Sequence, residues 1–162
     1  MKRVAVLMGE WAQALGLPAE EHQRWLAVSW LHDALRDTDA EALRGEVPAW
    51  MRDLPGPVLH GPAAAERLIG DLDEEALAAI RYHTIGHPTL GAMGRALYLA
   101  DFLEPGRDFL PDWRAEMRAR MPAEMNTVLI EVLASRLLHL VEGRRPLRAE
   151  TARFWSALVS GQ

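Results

Sequence analysis

Five side chains of this sequence are of types that can ligate a metal ion. His32 and Asp33 are adjacent in the run WLHDALRD, and His60, His83 and Asp101 follow at intervals down the chain. A divalent ion that activates water for phosphate chemistry needs several fixed ligands and at least one open position. The chain has no cysteine, which removes thiolate ligands, disulfides and cysteine nucleophiles together, so any metal must be held by His and carboxylate. Such a set suits iron, manganese, nickel, cobalt or zinc. Six-coordinate geometry with a bridging carboxylate favours iron or manganese over tetrahedral zinc. Adjacent helical residues point about 100° apart, so His32 and Asp33 face a cleft from one helix edge with Asp33 able to bridge two ions. A single histidine of this kind reads as an ordinary surface or core residue.

The elements that must position these residues are helical nearly throughout. Apolar residues recur at three and four, with no strand-type alternation. Helices are expected over about Lys2 to Leu15 and from Ala19 into His32-Asp33. Thr38 and Glu41 form a capping box for a short helix through Arg44. The segment from Gly45 to Gly61 is rich in Pro and Gly and reads as a long loop. Helix resumes with Pro62 in its first turn. Asp71 or Asp73 caps the next helix, which ends at Arg81-Tyr82-His83. Further helices are expected from Thr89 through Phe102, from Asp112 towards Pro122, from Ala123 to Glu142 and from Ala149 to Leu158. The Ala123–Glu142 helix carries a mostly apolar stripe of Met125, Leu129, Val132, Leu133, Arg136 and Leu140.

Composition bounds the rest. The 162 residues, 49% of them hydrophobic, fit one domain, with motif-bearing residues in about 1–109 and a helical C-terminal part in about 110–162. No apolar run approaches the roughly 20 residues that span a bilayer. The start MKRVAVLMGEW continues into a helical pattern rather than a signal cleavage site, so the expected compartment is the cytoplasm. A formal charge of -5 argues against general nucleic-acid binding. Lys2 is the only lysine, so nearly every cation is a guanidinium, suited to bidentate phosphate contacts. Trp11, Trp25 and Trp30 are expected in the core, Trp50 and Trp113 near a cleft, and Arg144, Arg145 and Arg148 in a solvated turn. The stripe of the long C-terminal helix suits a homodimer contact or internal packing equally.

The phrases LAVSWLHDALRD, VLHGPAAAERL and AIRYHTIGHPTLGAMGRALYLADFLEPGRDF carry a resemblance. The sequence resembles the HD-domain superfamily of metal-dependent phosphohydrolases, and within it the YqeK-type symmetrical bis(5'-nucleosyl)-tetraphosphatases. The resemblance is clear over Met1 to Phe109. It implies an all-α HD-domain helical bundle, a di-metal centre (often iron), and hydrolysis of diadenosine tetraphosphate to two ADP. By position it implies metal ligation by His32, Asp33, His60, His83 and Asp101. Arg36 occupies the basic position after the His-Asp doublet, and Arg95 and Arg107 match basic positions before YLAD and in EPxR. Thr84 and Gly86 match the turn bordering the nucleotide, with His87 beside them as a phosphate contact. Asp33 and Arg36 are the implied catalytic pair.

One departure stands out. Aligning Val4-Ala5 and Gly16-Leu17 with the resemblance puts its opening histidine ligand just before Met1, and His22 does not substitute. The expectation is a start codon placed too late; the alternative is loss of that ligand and weak holding of one metal. Two rival functions remain open: another HD nucleotidase or phosphodiesterase, and a catalytically impaired nucleotide-binding domain.

Overall fold

The computed structural model describes residues 1–161, and among them nine α-helices and two 3-10 turns make up the regular structure. Helix α1 (Lys2–Ala14) turns back on α2 (Ala19–Leu31). The turn is a Schellman motif: the Leu17 N–H reaches Ala12 O at 3.1 Å and Gly16 N–H reaches Gln13 O at 2.9 Å, with Gly16 at φ +63°. The short α3 (Ala40–Arg44) starts at Asp39, whose side chain accepts the Glu41 amide proton. Asp39 thus caps this helix in place of Thr38, the residue that the capping-box reading selects. The 45–59 segment is not structureless, for it contains 3-10 turns at Ala49–Met51 and Gly56–Val58.

Helix α4 (His60–Arg67) packs on α5 (Glu74–Tyr82), which Asp73 caps through the Ala76 amide at 3.0 Å. Helix α6 (Ala92–Leu103) is the centre of the bundle, with Leu97, Tyr98, Leu99 and Ala100 all fully buried. A helix apolar on every side is buried on every side, and α6 contacts α1, α2, α5, α7 and α8. Helices α7 (Pro111–Arg120), α8 (Met125–Glu142) and α9 (Ala149–Val159) close the remaining side. Val128, Leu129, Val132 and Leu133 of α8 and Phe154 of α9 enter the core. The apolar stripe of α8 therefore serves internal packing.

Trp11 and Trp25 are buried, as their helical faces predict. Trp30 is 49% exposed, against expectation. It lies two residues before His32, about 200° around the helix, so the rotation that turns His32 inward turns Trp30 outward. Among the described residues no helix is long and apolar enough to cross a membrane.

Candidate metal centre

Three helix ends deliver three imidazoles to one carboxylate. His32 is the C-cap of α2, His83 the C-cap of α5, and His60 the first residue of α4. Each ring contacts a backbone carbonyl three residues earlier through Nδ1: His32 to Ser29 O at 2.8 Å, His60 to Pro57 O at 2.9 Å and His83 to Ile80 O at 2.7 Å. A carbonyl only accepts, so every Nδ1 must donate, and in the neutral ring the Nε2 lone pair is left facing inward. Those Nε2 atoms meet Asp33. His60 Nε2 is 3.0 Å and His83 Nε2 3.7 Å from Asp33 Oδ1, while His32 Nε2 is 3.6 Å from Oδ2. Asp33 itself sits just past α2, in a run of i to i+3 turns, rather than inside the helix.

The donor set fits a divalent cation. His32 Nε2 and Asp33 Oδ1 are buried without a hydrogen-bond partner among the described residues. Such orphaned acceptors are costly unless a cation or proton joins them. Ligand atoms of His32, Asp33 and His83 lie within 4.8 Å of one another. Burial drives the His32 imidazole down to about 4, with His83 adding to the effect, which keeps the ring neutral and able to coordinate. Burial works against charge on Asp33, while the Arg36 guanidinium donating at 2.7 Å favours it, and the carboxyl lies below its ordinary range.

Local packing explains Gly61. A Cβ there would stand 2.8 Å from Ile80 O and 2.9 Å from the His83 ring, so only hydrogen lets α4 approach α5 closely enough for His60 and His83 to meet.

A cleft of about 270 Å³ opens on this cluster. Asp101 of α6 lines it and accepts from Arg107 at 2.9 Å, while Arg36 donates to Asp33 at 2.7 Å from the rim. The Thr84 hydroxyl is 3.1 Å from His83 Nε2 and also lines the cleft. On the side towards α1 the opening continues into a hollow of about 450 Å³ bordered by Met1, Arg3, Arg36 and Glu104. Glu104 is ion-paired with Arg3 and lies 3.5 Å from Arg107, tying the α6 end to α1.

Three residues that the resemblance assigned to substrate lie elsewhere. Gly86 faces Phe154 of α9, where a Cβ would meet the ring at 2.3 Å, so this glycine serves core packing. His87 stacks on Tyr82 at 4.2 Å between centroids and bonds Thr89 at 2.7 Å. Arg95 donates to Leu90 O at 2.9 Å and to Asn126 at 3.0 Å, linking α6 to α8. Trp113 packs edge-on against Phe102, and Trp50 borders a different hollow beside Pro146 and Arg148. His22 packs beside Gly9 of α1.

Sequence reasoning missed Arg136. It lines the cleft, donates to Thr84 O at 2.6 Å and lies 4.9 Å over the Tyr98 ring. The signal was present as a lone arginine within an apolar helical stripe, which calls for a partner or a cleft.

No family model matches the chain. It is 32% identical over 121 residues to a symmetrical bis(5'-nucleosyl)-tetraphosphatase of Bacillus subtilis, and 29% identical over 108 residues to the same enzyme of Halalkalibacterium halodurans. These alignments cover 73% and 65% of this chain, and 64% and 57% of the relatives, so the matched part spans less than two thirds of their length. The structure superposes with a TM-score of 0.83 on a predicted HD superfamily hydrolase involved in NAD metabolism from Clostridium acetobutylicum, at 22% identity, covering 99% of this chain and 87% of that one. This chain therefore shares the all-α fold of the protein described as a predicted HD superfamily hydrolase, and its curated homologues are symmetrical bis(5'-nucleosyl)-tetraphosphatases.

Proposed function

We propose that the protein is a metal-dependent hydrolase of dinucleoside polyphosphates, cleaving diadenosine tetraphosphate to two ADP. The observation that carries this reading is the convergence of three inward Nε2 lone pairs on the Asp33 carboxylate, with the opposite nitrogen of each ring held by backbone. His32, Asp33, His60, His83 and Asp101 would hold a divalent pair, iron first among the candidates, with manganese, cobalt, nickel and zinc the others. Bound there, the metal would supply a water acidic enough to act as hydroxide at neutral pH and would offset phosphoryl charge.

The chain's own groups supply the rest. Arg36 keeps Asp33 ionised and stands at the rim, where phosphate oxygens enter. Arg107 orients Asp101 through its bond to the carboxylate and presents the rest of its guanidinium to the cleft. Two fixed guanidiniums beside a largely buried cluster stabilise charge that grows on phosphoryl oxygens. Symmetric cleavage follows when the second phosphate from one nucleoside is centred over the cluster. The substrate is a small cytoplasmic nucleotide; neither nucleic acid nor membrane is required.

The test is chromatography of products after incubation with diadenosine tetraphosphate and manganese, iron or cobalt. ADP as sole product is expected; ATP with AMP, or no turnover with any of the three ions, refutes the reading. Asp33→Ala should reduce the rate on the order of a thousandfold while the helical circular dichroism is kept.

A further inference from the structure

The cleft does not stop at Arg136. Its outer wall of Phe102, Arg107 and Arg136 is shared with a groove of about 540 Å³ between the α6–α7 connection and the second half of α8. Arg107, Arg136, Arg145 and His139 line this groove, and among the described residues no carboxylate does. That is an unusual stretch of surface in a chain of formal charge -5.

The wall behind it is cationic too. Arg114 is buried, with its guanidinium 4.2 Å over the Phe102 ring and 5.9 Å from the Phe109 ring, and its NH1 has no partner among the described residues. Burial lowers its pKa, and Arg107, Arg118 and Arg136 add to that pull against the opposing Glu104 carboxylate. Arg107 already has Asp101 and Glu104, but Arg114, Arg136 and Arg145 have no carboxylate within ion-pair distance among the described residues, so an anion in the groove would meet guanidiniums that lack one. At the groove's edge Phe109 is 56% exposed, and its carbonyl is fixed by the Arg114 Nε at 2.6 Å. Guanidiniums grip phosphate in a bidentate way, and an exposed aromatic ring beside them is a platform for a nucleobase.

We propose that this groove is a nucleoside diphosphate subsite. It takes the arm of the substrate beyond the scissile linkage, with phosphates on Arg107, Arg136 and Arg145 and the base on Phe109. The inference rests on reading the cleft as a polyphosphate hydrolase site and deepens it. The groove makes a second nucleoside diphosphate arm the feature that separates good substrates from short nucleotides.

The test is calorimetric titration of ADP, and separately of inorganic diphosphate, into the manganese-loaded protein. Phe109→Ala should weaken ADP binding about tenfold and move diphosphate binding far less. Arg145→Gln should weaken both about tenfold. Both side chains are exposed, so the variants should keep the wild-type circular dichroism. ADP binding unchanged in both variants overturns the subsite, and so does Phe109→Ala weakening diphosphate as much as ADP. The two readings fail separately. A wild-type protein that hydrolyses no dinucleoside polyphosphate refutes the catalytic reading while the titrations still decide the groove. Intact hydrolysis with ADP binding insensitive to both substitutions removes the groove alone.

Discussion

His60 Nε2 stands 3.1 Å from His83 Nε2, although both rings have committed their Nδ1 protons to backbone carbonyls. The two Nε2 atoms also face a carboxylate oxygen that is itself short of a donor. A shared cation resolves all three demands. A bound cation, as proposed above, would account for why folding tolerates this arrangement.

That tolerance has a pH signature. His32 titrates near 4 in the folded protein, against an ordinary 6.5, chiefly because it is buried. Between those values the unfolded chain binds a proton that the folded one refuses, so the stabilising contribution is whole above about pH 6.5 and disappears as pH falls towards 4. The loss is on the order of 3 kcal/mol. Asp33, held below its usual 3.8, adds a further loss in stronger acid. Urea unfolding of chelator-treated protein at a series of pH values should show the midpoint dropping across that window. A midpoint flat from pH 7 to pH 4 would contradict the buried, neutral His32.

Arg107 and Arg95 make contacts of different kinds. Arg107 bonds Asp101 inside the cleft, whereas Arg95 bonds Leu90 O and Asn126. Loss of a charge-assisted bond of the first kind costs about 1.5–3 kcal/mol, or roughly ten- to a hundredfold in rate. Arg107→Gln should therefore lower kcat/KM by about that factor, while Arg95→Gln should shift the melting temperature and change kcat/KM less than about twofold. Equal kinetic losses in both variants would reinstate Arg95 as a substrate contact.

Gly86 tests the same boundary from the packing side. Its φ of +73° and the 2.3 Å approach of Phe154 leave no room for a methyl group. Gly86→Ala should destabilise by about 2–3 kcal/mol, lowering the melting temperature by roughly 5–10 °C, with KM for the substrate unaltered below the transition. A raised KM without loss of stability would instead put the turn against the nucleotide.

The helices and the candidate ligands were legible in the sequence for a definite reason. Helical period and caps are local, and His32, Asp33, His60, His83 and Asp101 stand in recognisable words. Which way the neighbours of those words face is not local. Arg95 precedes Asp101 by six residues, about 240° around α6, so the cleft side of one is the α8 side of the other. Gly86 lies in the same phrase as His83, yet the contact that decides its role comes from Phe154 of α9. Arg136 was hidden in the opposite sense: it shares a helical stripe with Val132 and Leu133, and only the placement of α8 over Thr84 turns it into a wall of the cleft.

Metal content is the most direct check on the central claim. Protein loaded with manganese or iron and then passed through a desalting column should retain at least one ion per chain by plasma mass spectrometry. Asp33→Ala, folded by circular dichroism, should retain almost none. Wild-type protein that emerges without metal after loading, or an Asp33→Ala variant that holds as much as wild type, would contradict it.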